Sequence, residues 1–124
     1  MASRASIIVV HQDNTVSVIY LHNCQGQKAL LQRLNGSFRS QKIASELVQL
    51  GNLSTLGFQI HPRAGTKHTF DNPQDRVNVY YNRDRGEELR VSRYGSVKIF
   101  ESKYCSLQET SVIFKNGKWE VYNN

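Results

Sequence analysis

At 124 residues the chain has room for one domain around a single core. Apolar residues make up 39%, which excludes a disordered chain but leaves only a thin core under a polar covering. The net charge of +6 is unevenly placed: residues 1–70 hold seven Lys and Arg against two acids, residues 71–124 nine against eight, and no acid falls between Asp13 and Glu46.

The opening residues read as a β-hairpin that organises the rest. Residues 6–10 contain the apolar run Ile7-Ile8-Val9-Val10, and residues 15–22 alternate, with Val16, Val18 and Tyr20 on one face and Ser17, Ile19 and Leu21 on the other. Gln12-Asp13-Asn14 turns between them. Apolar residues on both faces of the second strand predict a position inside a sheet. After the polar connection Asn23-Cys24-Gln25-Gly26-Gln27, residues 28–34 are strong helix formers with Leu30, Leu31 and Leu34 clustered on one side, and Asn35-Gly36 is expected to stop them.

Ser40 has the character of an N-cap for a second helix over residues 41–50, whose Ile43, Leu47 and Leu50 form an apolar stripe ended by Gly51. Residues 52–57 are too short and punctuated for a regular element. Residues 58–61 read as a short strand limited by Pro62. Residues 63–74 are polar, broken by Gly65 and Pro73, and expected to be a mobile loop.

Residues 76–81 alternate and predict a third major strand, followed by a charged turn over 82–88. Residues 89–92 and 97–100 read as further strand pieces. Residues 101–109 fit a short helix or a loop. At the end, strands over 111–115 and 118–122 flank Asn116-Gly117, a strong hairpin signal because both turn positions require positive φ. Together these elements predict one α+β domain over residues 1–124: a mainly antiparallel sheet with two helices packed on one face.

Four segments resemble a widespread set of short phage-encoded proteins, a family with no assigned function. They are Ser3-Arg4-Ala5-Ser6-Ile7 leading to Ile19-Tyr20-Leu21-His22; Ala29-Leu30-Leu31; residues 44–57, notably Leu50-Gly51-Asn52-Leu53-Ser54-Thr55-Leu56-Gly57; and Phe70-Asp71-Asn72-Pro73 with Asn82-Arg83-Asp84-Arg85-Gly86-Glu87. Phe114-Lys115-Asn116-Gly117-Lys118-Trp119 also fits. Such proteins usually follow the strand-ending histidine with an aromatic and then an acidic, glycine-rich loop. Here that segment is the shorter Asn23-Cys24-Gln25-Gly26-Gln27, so no role is carried over to it. The resemblance implies phage or prophage origin, an accessory role and no particular reaction.

No residue pattern names a catalytic reaction. His22 at a strand end is a candidate base, with Cys24 beside it as a candidate nucleophile; the structural alternative is a backbone-bonded histidine and a packed cysteine. His22, Cys24, His61, His68 and Cys105 match no zinc spacing, so no metal and no cofactor are expected. Two cysteines are too few for a disulfide scaffold, and Cys24 and Cys105 pair only if the fold brings them together.

Gln25, Gly26, Gln27 and Lys28 open a helix and are candidates for holding a phosphate. Arg33, Arg39 and Lys42 would attract an anionic partner, and Arg83 and Arg85 would contact it directly or else pair with neighbouring acids. The expected function is therefore binding: a phage accessory protein acting on a host or host-defence protein with an acidic surface, or on a nucleotide or nucleic acid. The alternative is a nucleotide-directed hydrolase or transferase using His22. A homodimer through the edge of the terminal hairpin is a third expectation. With no apolar run of about 18 residues and no leader-like opening, the expected setting is the host cytoplasm, away from membranes.

Overall fold

The hairpin expected at the start pairs β1 (Ser3–Val10) with β2 (Val16–Cys24), Ile7 facing Ile19 and Val10 facing Val16. The computed structural model describes residues 3–103 and 107–122 of the chain. The other strands are β3 (Leu53–Thr55), β4 (Val79–Tyr80), β5 (Ser92–Tyr94), β6 (Thr110–Lys115) and β7 (Lys118–Val121). The helices are α1 (Gln27–Ser37), α2 (Gln41–Gln49), α3 (Tyr81–Arg85) and α4 (Val97–Lys103).

The strands form one sheet in the order β4-β3-β2-β1-β6-β7, with β5 pairing the start of β2. The β1–β6 and β2–β3 pairs are parallel and the remaining pairs antiparallel. The chain is thus an α+β domain, and β1 and β2 are interior strands. Burial on both faces explains the unbroken apolar run of β1. Ala5, Ile7, Val9, Ile19 and Leu21 join Leu30 and Leu34 of α1 and Ala44, Leu47 and Val48 of α2 in the larger core. Ile8, Val10 and Val16 join Phe100 of α4 and Ile113 in a smaller core on the other face.

Several boundaries differ from expectation, each for a local reason. α1 runs through Asn35-Gly36 to Ser37, because the Asn35 side chain bonds the backbone of Trp119 and does not end the helix. Ser40 caps α2 as expected, accepting from Ile43 N–H at 3.1 Å. Residues 97–100 are not strand but the opening of α4: Ser96 Oγ accepts from Ile99 N–H, Phe100 is buried and Ile99 is 43% exposed. Residues 52–57 contain β3, and residues 58–61 form only a single bridge, Gln59 to Val77. Residues 76–81 supply just the two residues of β4. Arg76 takes φ of 70°, which no extended strand allows, and Tyr81, expected to end the strand, opens α3, which runs into the segment expected as a charged turn. The terminal hairpin turns at Asn116 and Gly117, both at positive φ. Cys105 lies outside the described residues, and with it the pairing of Cys24. Among the described residues no helix is long and apolar enough to cross a membrane.

Candidate ligand-binding cleft

The end of the β1–β2 hairpin, the flank of α2 and β5 enclose an open cleft of about 820 Å³. Its floor is His11, the residue after β1. A tight turn fixes the His11 backbone: His11 N–H donates to Thr15 O at 2.8 Å and Asn14 N–H to His11 O at 2.9 Å, with Asn14 at φ 70°. Asp13 Oδ1 completes the turn by accepting from the Thr15 N–H at 3.0 Å and hydroxyl at 2.6 Å. Strand alternation puts Ser17 on the α2 side of the sheet, and α2 brings Ser45 to the same place. The antiparallel register then sets Arg93 opposite Ser17 and Tyr94 opposite Val16.

The His11 ring lies between two hydroxyls, Nδ1 at 2.8 Å from Ser45 Oγ and Nε2 at 2.7 Å from Ser17 Oγ. Gln41 Nε2 donates to both Ser45 Oγ and Val10 O, which leaves Ser45 one proton and one lone pair for the ring. A neutral imidazole satisfies this chain in either direction. Burial lowers the His11 pKa below its ordinary value; nearby Asp13 opposes that shift, and the positive charge of Arg93 adds to it. None of these bonds is to a carboxylate. The relay that stabilises an imidazolium during nucleophilic catalysis is therefore missing, and the arrangement suits recognition better than proton transfer. The Arg93 guanidinium makes no hydrogen bond or ion pair with the described residues and lines the cleft beside Tyr94, Thr15 and Gln49.

The residues singled out from the sequence lie elsewhere. His22 is half-buried on β2, its Nδ1 2.9 Å from the Tyr20 hydroxyl, away from the cleft. Cys24 is 1% exposed, which removes it as a nucleophile for a diffusing substrate. Gln27 and Lys28 are exposed on the first turn of α1. The hollow near them, lined by Gln25 and Arg33, has only about 60 Å³, far below the few hundred that a nucleotide-sized ligand occupies.

The basic residues between Lys28 and Lys42 reach different neighbours. Arg33 turns toward β3 and donates to Leu56 O at 3.1 Å; Arg39 reaches Gly117 O in the β6–β7 turn at 3.5 Å; Lys42 borders a hollow beside the His11 cleft. Arg85 pairs with Glu87 at 3.2 Å and stacks over Phe70.

Arg83 is committed to an internal knot. It donates to Asp84 from Nε at 2.9 Å, to Ile60 O from Nη1 and to Asn78 O from Nη2. Asp84 also accepts from Tyr80 N–H at 2.8 Å and from His68 Nε2 at 3.3 Å. His68 Nδ1 accepts from Gln74 N–H, so its proton sits on Nε2 and points at Asn78 O and Asp84. The side chains of His68 and Asp84 are 1% and 3% exposed. Burial alone would raise the Asp84 carboxyl, but the hydrogen bonds from Arg83 and Tyr80 and the neighbouring positive charges hold it below its ordinary value. The loop expected to be mobile is thus tied at its centre, and Arg83 puts four of its five N–H donors into these internal bonds, a structural use of the residue. Among the described residues no group of three or more His, Cys, Asp or Glu could hold a metal ion.

The homodimer expected through the terminal hairpin meets an obstacle of the same kind. Asn35 occupies the outward-facing N–H and C=O of Trp119 on β7, and Trp119 Nε1 donates to Phe38 O at 2.8 Å. Comparison with family models, with curated proteins and with solved structures found no match to this chain.

Proposed function

We propose that this chain is a small phage-encoded accessory protein that acts by binding, and that the His11 cleft holds a nucleotide-class ligand of the host or its defences. The phage setting and the host cytoplasm as its site of action rest on the segment resemblance. The ligand class rests on the cleft. His11 holds the Ser17 hydroxyl in place, and that hydroxyl keeps bonding capacity for a polar ligand; Arg93, without a partner among the described residues, offers a cation to a phosphate, and Tyr94 offers an aromatic ring. The volume of about 820 Å³ suits such a ligand. An acidic protein surface is the weaker reading, because the guanidinium groups of Arg33 and Arg39 already donate to backbone carbonyls of Leu56 and Gly117.

The observation that carries the proposal is His11 held between Ser17 and Ser45, with Arg93 beside it and without a partner among the described residues. Calorimetric titration with a panel of nucleoside mono-, di-, tri- and cyclic phosphates tests it. At least one should bind the wild type, with Arg93→Glu abolishing binding and His11→Ala weakening it at least about tenfold, the cost of one buried polar contact. A panel with no binder, or variants that bind like the wild type, overturns it.

The 2.7 Å approach of His11 Nε2 to Ser17 Oγ favours one second reading, a nucleotide-directed hydrolase or transferase in which His11 takes the role expected of His22. Product analysis of the same panel decides it: turnover lost in His11→Ala and kept in His22→Ala supports that reading, and absence of any product removes it.

A further inference from the structure

At the far end of β2 from His11, Phe58 lies against two arginines. The Arg33 guanidinium carbon is 3.6 Å from the centre of the Phe58 ring and that of Arg76 is 4.0 Å from it. Two guanidinium groups that close to one ring centre must occupy opposite faces, so the three side chains form a layered stack. Phe58 is 38% exposed, which opens the stack to solvent. We infer that this stack is a docking surface for single-stranded nucleic acid, distinct from the His11 cleft and independent of what that cleft binds.

The backbone around the stack is built to hold it. Gly57 is pressed against Arg76: a Cβ at Gly57 would meet Arg76 O at 2.5 Å. The Arg76 carbonyl accepts from Phe58 N–H at 2.7 Å and from Gln59 N–H at 3.2 Å. These bonds require Arg76 to sit at φ 70°, a conformation that glycine or asparagine adopts with far less strain. The backbone bonds would form with glycine at this position, so what arginine adds is its guanidinium. That guanidinium makes no hydrogen bond or ion pair to the described residues, and its five donors remain for a ligand. A purely structural role for Arg76 would leave this combination of strain and unused donors unexplained.

The chemistry selects a strand of nucleotides over an acidic peptide. The outer faces of two planar guanidinium groups extend a stack that bases continue, and their N–H edges meet phosphates. Carboxylates use only the second property. Next to Arg76 a hollow of about 230 Å³ is lined by Arg63, Gln59, Gln74 and Asp75. The Arg63 guanidinium is likewise without a partner among the described residues, which adds a second phosphate contact. Asp75 opposes an anion there, and this gives a test of sign.

The experiment is fluorescence anisotropy of labelled twelve-nucleotide dT and U strands at low salt, against a duplex of equal length and a polyglutamate peptide. Wild type should bind the single strands, and weakly or not at all the others. Arg76→Gly relieves the backbone strain, so it should fold with an unchanged or higher melting temperature while binding at least about tenfold more weakly and with a shallower salt dependence. Arg76→Lys should stay weak, because an ammonium does not stack. Asp75→Asn should bind more tightly, and Lys98→Ala on α4 should match the wild type. No binding of either strand, equal or stronger binding of duplex or polyglutamate, or wild-type affinity in a folded Arg76→Gly overturns the inference. Because His11→Ala leaves this end of β2 untouched, failure here is distinguishable from failure of the cleft.

Discussion

Asn35 and Trp119 exchange two hydrogen bonds: Asn35 Nδ2 donates to Trp119 O at 3.3 Å, and Trp119 N–H donates to Asn35 Oδ1 at 3.0 Å. One side-chain amide thus does for β7 what a further strand would do. The outward N–H and C=O of Trp119, which an exposed edge would offer to another chain, are already taken.

Asn35→Ala should therefore have two effects. It removes two partly buried bonds, a cost of about 1–3 kcal/mol in chemical denaturation. It also uncovers the β7 edge, and light scattering should detect association that the wild type lacks at equal concentration. A variant that stays monomeric despite the stability loss would show that the edge is protected by something other than Asn35.

His11 should make stability depend on pH between neutrality and mild acid. Its pKa in the folded state lies below the ordinary value of 6.5, so the folded chain resists a proton that the unfolded chain accepts. Stability is unaffected by this group above that value, falls as pH drops through it, and levels off below the folded pKa. Denaturation curves of His11→Gln should lose this component. Equal pH dependence in the two proteins would refute the assignment.

Asp84 behaves oppositely in range though not in direction. Its folded pKa is depressed, so its contribution is complete above 3.8 and disappears as pH falls through the folded value. Asp84→Ala leaves Arg83, His68 and the Tyr80 N–H without their common acceptor and should cost about 3 kcal/mol at neutral pH. Hydrogen exchange should then show faster opening of residues 61–78, with the β1–β2 amides less affected.

Gly57→Ala should destabilise by about 1–3 kcal/mol, since the added carbon meets the Arg76 and Val77 backbone and not a flexible side chain. Gly36→Ala, with nothing within 4 Å of the added carbon in the last turn of α1, should be neutral or slightly stabilising. Thermal melts of the two variants check the contrast.

The sequence disclosed those parts of the fold whose causes are local. Asn116-Gly117 names its turn, Ser40 names its cap, and apolar residues on both faces of β2 name an interior strand. It misled where a local pattern had two readings. Val97-Lys98-Ile99-Phe100 alternates like a strand, but the Ser96 cap and the three-residue spacing of Val97 and Phe100 are what the helix uses. Arg76 to Tyr81 alternates too, yet the bonds that Phe58 and Gln59 draw from Arg76 O break the strand at its first residue.

The site was the least legible part. His11 falls in a turn next to no chemical motif, and its partner Ser45 is distant in sequence, so their meeting depends on how α2 lies on the sheet. The one local clue was a histidine closing an apolar strand with a serine two places into the next. Arg83 showed the converse problem: an arginine beside Asp84 in a charged segment reads as surface, and burial of His68 beneath it made it part of the interior.

The parallel pairing of Ala5 with Thr110 and of Val9 with Phe114 has a temporal consequence. A ribosome delivers β1 early and its β6 neighbour near the end of this stretch, so until then the most apolar segment of the chain waits with one flank unmatched. Synthesis halted before residue 110 would leave that flank unmatched and is expected to yield an association-prone fragment instead of a smaller stable protein.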